Sequence, residues 1–115
     1  MKNSKAFAAL QLYLLIGAFV PATGIAASAN ENWSELCAKC HAEDGSGKTK
    51  MGIKLKSKDY TNPKVQEEFS DTGLLKNLLL GVAVEGDHDR MPAYKDKITV
   101  AEAKDLIALI RSFKK

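Results

Sequence analysis

Two cysteines three residues apart, with a histidine directly after the second, form the densest group of metal-capable side chains in the chain: Cys37-Ala38-Lys39-Cys40-His41. On a helix this spacing sets the thiols about one turn apart, the separation needed to add to two vinyl groups along one edge of a haem. His41 then projects beneath the ring, where its Nε2 reaches the iron. Three other chemistries draw on the same residue types. The cysteines can close a disulfide in an oxidising compartment, act as a thioredoxin-like redox pair, or join His41 and His88 around zinc. A redox pair expects a βαβ setting, and zinc expects a second, closely spaced ligand pair that His88 alone does not supply. Covalent haem attachment is the leading reading, and the disulfide stays open beside it.

Iron held by one histidine needs a second axial group or stays open to small molecules, and Met51, His88 and Met91 are the candidates. Met51 comes only ten residues after His41, on the segment that must first leave the proximal side, so its reach is poor. His88 stands between Asp87 and Asp89 and reads as a solvated loop residue. Met91 precedes Pro92, which biases it to an extended backbone and limits its local freedom. Met91 is the expected distal ligand, with His88 as the alternative and gap-filling in the core as the plain role for Met91. A thioether is the softer donor, favouring ferrous iron and raising the potential relative to a second histidine.

The elements that must position these groups read as all-α. A first helix is expected from about Asn30 to Cys40, capped by the asparagine, with Trp33, Leu36, Cys37 and Cys40 on one face. Asp44-Gly45-Ser46-Gly47 marks a turn, and the lysine-rich stretch from Lys48 to Tyr60 shows no period. Thr61-Asn62-Pro63 opens a short helix through Phe69, with Pro63 at its favoured first position. Ser70 or Asp71 caps a helix carrying Leu74, Leu75, Leu78, Leu79 and Val82, ended by Gly81 and Gly86. A polar loop over 85–97 holds Met91-Pro92. Thr99 and Glu102 then form a capping box before Val100, Ala103, Leu106, Ile107, Ile110 and Phe113, the inward stripe of a last helix. No strand pattern is visible.

The chain has 115 residues, enough for one domain, and it opens with an export pattern. Lys2 and Lys5 precede an uncharged apolar run from Ala6 to Val20, and Ala27-Ser28-Ala29 fits the small-residue rule for cleavage after Ala29. Residues 1–29 are therefore expected to be a cleaved signal peptide and 30–115 the exported, periplasmic domain; without cleavage the leader would serve as a membrane anchor. Cleavage removes two lysines and no acid, lowering the formal charge from +3 to +1. That balance excludes a nucleic-acid footprint. A domain this small often needs a staple, and here the staple would be the haem.

These residues resemble a bacterial class I cytochrome c across essentially all of 30–115. The carrying features are the 37–41 motif, Gly45-Ser46-Gly47, Met91-Pro92-Ala93-Tyr94 and the closing run from Asp105 to Phe113. The resemblance implies three or more helices around one covalently bound haem c, with the first and last helices packed together. It places Trp33 at the family's aromatic position before the first cysteine, with Leu109 standing where an aromatic partner is usual. It suggests Tyr94 as a contact for a haem propionate. Many members orient the proximal histidine through a proline carbonyl, and Gly52-Ile53 occupies that stretch here, so another carbonyl must do it.

With both iron faces filled and no nucleophile or acid–base pair in view, the implied function is one-electron transfer rather than catalysis. A haem subunit of a larger redox enzyme differs only in partner; a small-gas binder would require that Met91 leave the iron open. Implied partners are redox proteins, including membrane-bound respiratory complexes, met by a monomer whose Lys39, Lys48, Lys50, Lys95 and Lys97 form a basic rim.

Overall fold

A computed structural model describes residues 27–84 and 87–115. The expected leader lies outside these residues, apart from Ala27 to Ala29. Among the described residues no helix is long and apolar enough to cross a membrane.

The first helix begins earlier than the asparagine expected to cap it. Ser28 is the N-cap: its hydroxyl accepts from Glu31 N, and Glu31 Oε2 accepts from Ser28 N, both at 3.2 Å. A cut after Ala29 would remove this cap. From there the chain runs continuously through α1 (Ala29–Asn32), a π-helical segment (Trp33–Cys37) and α2 (Ala38–His41). In the wider π turn, Ala38 N–H reaches Trp33 O five residues back. The widening falls on the first cysteine. Trp33 is 2 % exposed and its Nε1 donates to Ala42 O at 2.9 Å, so the residue that starts the π turn also ties down the end of α2.

Lys48 to Tyr60, read as irregular from sequence, contains α3 (Lys50–Leu55). Thr49 caps it, accepting from Gly52 N at 2.8 Å, and its hydroxyl is 2.7 Å from Lys39 O, which docks α3 beside α2. The helix escaped detection because its periodicity is broken by lysines on the exposed side. Gly52 is required there: a Cβ would fall onto the Cys40 and Gly47 carbonyl oxygens. After α4 (Pro63–Glu67), with Pro63 in its first turn as expected, α5 (Asp71–Leu80) is capped by Ser70 and buries Leu74 and Leu78.

Two strands, not foreseen in the sequence, follow α5. Gly81, at φ +74°, stops the helix before Val82, and β1 (Val82–Val84) pairs antiparallel with β2 (Asp87–Met91), Val82 facing Met91. The valines suit an extended backbone once the glycine has turned the chain. This small hairpin leaves the architecture all-α in character. α6 (Val100–Ser112) carries the expected Thr99–Glu102 capping box and buries Ala103, Leu106, Ile107 and Ile110.

The terminal helices pack together. Asn32 Nδ2 donates to Glu102 Oε2 at 3.0 Å, and the Trp33 ring meets Phe113 at 4.8 Å between centroids. The aromatic partner on the last helix is thus Phe113, one turn beyond Leu109, and the aromatic pairing is retained rather than lost. Gln66 and Arg111 lash α4 and the start of α5 to the end of α6. Gln66 Nε2 donates to Tyr60 O and Ile110 O, while Arg111 reaches Gln66 O, Phe69 O and Asp71.

Candidate cofactor site

The chain folds around a cavity of about 520 Å³, and Cys37, Cys40, His41, Met91 and Tyr94 all line it. Its remaining wall is mainly apolar, from Leu36, Leu55, Phe69 and Val82. This is the size and character of a cofactor site. Met51 sits on α3 and is not among the lining residues. His88 lies in β2, where only the backbone is described.

On the proximal side both thiols are free. Burial, with Cys40 adding to it, pushes the Cys37 thiol up to about 12. The disulfide alternative is not what this structure forms. Among the described residues there is also no group of three or more His, Cys, Asp or Glu able to hold a metal ion.

Burial holds His41 below the usual histidine range, opposed by a contact to Lys58 O. Its Nδ1 lies 3.4 Å from that carbonyl, which can only accept, so the proton sits on Nδ1 and the lone pair of the neutral ring on Nε2. Lys58 O therefore supplies the orienting carbonyl that the sequence left unnamed. The Lys58 side chain pairs with Glu68 at 3.1 Å at the cavity mouth, both half exposed. Tyr60, 7 % exposed, stacks on the imidazole at 5.1 Å and 24°, and Trp33 approaches it at 5.7 Å. Burial pushes the Tyr60 hydroxyl up to about 12. Sequence reading passed over Tyr60 and Lys58 because the first is one aromatic in a polar run and the second acts through its backbone.

On the distal side, Met91 is half-buried at the end of β2. Tyr94 N and Lys95 N donate to Leu78 O and Leu79 O at 3.0 and 3.2 Å, fastening the loop after Met91 to the last turn of α5. Gly81 lies so close that a Cβ there would stand 2.7 Å from Met91 O. The Tyr94 hydroxyl donates to Leu36 O at 2.9 Å, a different partner from the propionate expected of it.

These residues fit a covalently bound haem. The two free thiols are the groups that can add to its vinyls, and a neutral imidazole and a thioether are borderline and soft donors that such iron takes, all gathered at one apolar cavity.

Comparison with known proteins agrees. The family described as "Cytochrome C oxidase, cbb3-type, subunit III" matches residues 24–110. The c-type cytochrome KustC0563 superposes with a TM-score of 0.66 at 27% identity, covering 77% of this chain and 100% of that one. A tyrosine mutant of Kustc0563 gives 0.63 at 26% identity, over 76% and 100%. No curated protein matches the chain. With the family match spanning most of its length and the helical fold shared with solved cytochromes, the chain belongs to the cbb3-type subunit III cytochrome family as a monohaem class I c-type cytochrome carrying haem c.

Proposed function

We propose that this cytochrome is an exported one-electron carrier whose haem is bound through thioethers from Cys37 and Cys40 and ligated by His41 and Met91. The observation that carries the reading is the shared cavity: the three motif residues and a methionine fifty positions further on line one space. When bound, the haem supplies an iron that alternates between ferrous and ferric states.

The protein's part is to hold the ligands still. Lys58 O fixes the tautomer and tilt of His41, so Nε2 is presented without rearrangement. The bonds from the 94–95 backbone to α5 hold the thioether side, so little reorganises as charge changes. Leu74 and Leu78 keep water from the interior. A Tyr94 contact to a propionate requires its hydroxyl to exchange Leu36 O for the carboxylate.

Partners are redox proteins, and the oxidase named in the family description supports a membrane-bound respiratory complex among them. Lys48, Lys50, Lys54, Lys56 and Lys58 are all exposed along 48–58, which contains no acid before Asp59. Lys56 and Lys58 border the cavity mouth, so an acidic partner attracted there would stand near the haem edge. Association that slows as ionic strength rises is the expected behaviour.

Visible spectroscopy of the protein isolated from the exporting cell tests the ligation. The ferric protein should show the methionine-to-iron charge-transfer band, and Met91→Ala should lose it while keeping covalent haem. A five-coordinate, high-spin resting spectrum that takes up carbon monoxide readily would replace the carrier with a gas binder.

A further inference from the structure

The first helix starts on residues that a cut after Ala29 would remove. Ser28 and Glu31 form a complete capping box, and Ser28 O takes Asn32 N at 3.0 Å. Asn32 is 6 % exposed, so loss of that acceptor would leave an N–H of a buried residue without its partner. Ala29 packs against the core, and its carbonyl takes the N–H of Trp33, the residue that opens the π turn.

Charge points the same way. Cleavage creates an α-amino group, which titrates at about 8 and is an ammonium at neutral pH. On Asn30 it would stand inside the first turn of α1, where the helix dipole disfavours a cation. On Ala27 it stands ahead of the cap, where a carboxylate meets it. Thr99 N and the Asn32 amide each bond to Glu102 at 3.0 Å, and the Ala27 N–H faces the same carboxyl. Gly24-Ile25-Ala26 offers small residues at the same two places as Ala27-Ser28-Ala29, nearer to the end of the apolar run at Val20.

Resting on the export reading above, we infer that a signal peptidase cuts between Ala26 and Ala27, so that Ala27 begins the exported cytochrome and its α-ammonium pairs with the Glu102 carboxylate. Water adds across that one amide: Ala26 leaves with the leader as a carboxylate, and Ala27 keeps the nitrogen as the ammonium. The exported domain then retains the whole cap of the helical segment that carries Cys37, Cys40 and His41.

N-terminal sequencing and intact mass of the full chain, produced in an exporting cell and purified with its haem, test this. The sequence should begin Ala27-Ser28-Ala29-Asn30, and the chain should be heavier by Ala-Ser-Ala than one starting at Asn30. Ser28→Ala gives an independent readout, because residue 28 occupies neither small-residue place of either cut. It should lower the folding equilibrium constant of the exported protein about fivefold in denaturant unfolding, the usual worth of a helix cap. A chain starting at Asn30 no longer contains the residue and would not respond. Any other first residue on a haem-loaded chain, or a Ser28→Ala protein of unchanged stability, overturns the inference and spares the export reading. A chain that keeps Met1 and carries no haem overturns both.

Discussion

The two sides of the cavity are built in opposite ways. The proximal side is local: both cysteines and His41 fall within five residues at the end of one helical segment, and Trp33 and Thr49 bind its last turn from either side. The distal side is assembled at long range. Met91 reaches the same cavity because Gly81 ends α5 at a positive φ and the following chain returns to that helix. On the ligation we propose, the proximal side retains the haem and the distal side tunes the iron.

The largest effect is expected where the chemistry is covalent. Replacing both cysteines, Cys37→Ala with Cys40→Ala, should abolish haem that survives denaturing electrophoresis, whereas any distal substitution should leave it attached. Staining for haem on such a gel separates the two sides at once.

Backbone crowding comes next. Gly52→Ala should cost about 1–3 kcal/mol, because its Cβ meets two carbonyl oxygens beneath α2 and both are backbone. Gly81→Ala should cost about 1–2 kcal/mol from its positive φ, and should also displace Met91. Denaturant unfolding of the haem-loaded protein gives both costs. Only the Gly81 variant should weaken the methionine band, and an equal loss in the Gly52 variant would break the division into two sides.

A stabilising change is expected at Ala42. It follows His41 directly and holds φ 65° and ψ 161°, a region nearly reserved for glycine. Ala42→Gly should gain about 1 kcal/mol after glycine's added unfolded-state freedom is offset. A gain in the unfolding midpoint with an unchanged spectrum would show that the strain serves the turn and not the ligand.

The smallest effect concerns pH. Bonds from Thr99 N and from the Asn32 amide hold the Glu102 carboxyl below its ordinary 4.5. A group depressed in the folded state contributes stability above its ordinary value and loses it as pH falls through the folded value. Glu102→Gln should therefore be less stable than the unsubstituted protein at neutral pH, with the gap closing below about pH 4.5. The comparison is read from thermal midpoints across pH.

How much of this could be read from the residues follows the same division. The motif at 37–41, the Thr99–Glu102 capping box and the leucine stripe of α5 are local patterns, and local patterns carry their meaning in spacing. α3 was hidden because only Gly52 of its six residues is buried, leaving no apolar stripe to show a period. The hairpin was hidden because one positive-φ glycine changes the fate of Val82, which otherwise extends the helical stripe. Phe113 displaced Leu109 as partner of Trp33 because the crossing of two helices is set by packing, not by separation along the chain.

The sequence by itself determined the motif through which we propose haem is attached, since one helical turn fixes those groups relative to each other. Only the tertiary structure decided that Lys58 O orients His41 and that Phe113 meets Trp33. Those relations join residues 17 to 80 positions apart. No local spacing encodes them; they exist only once the core has closed and burial has chosen which groups meet.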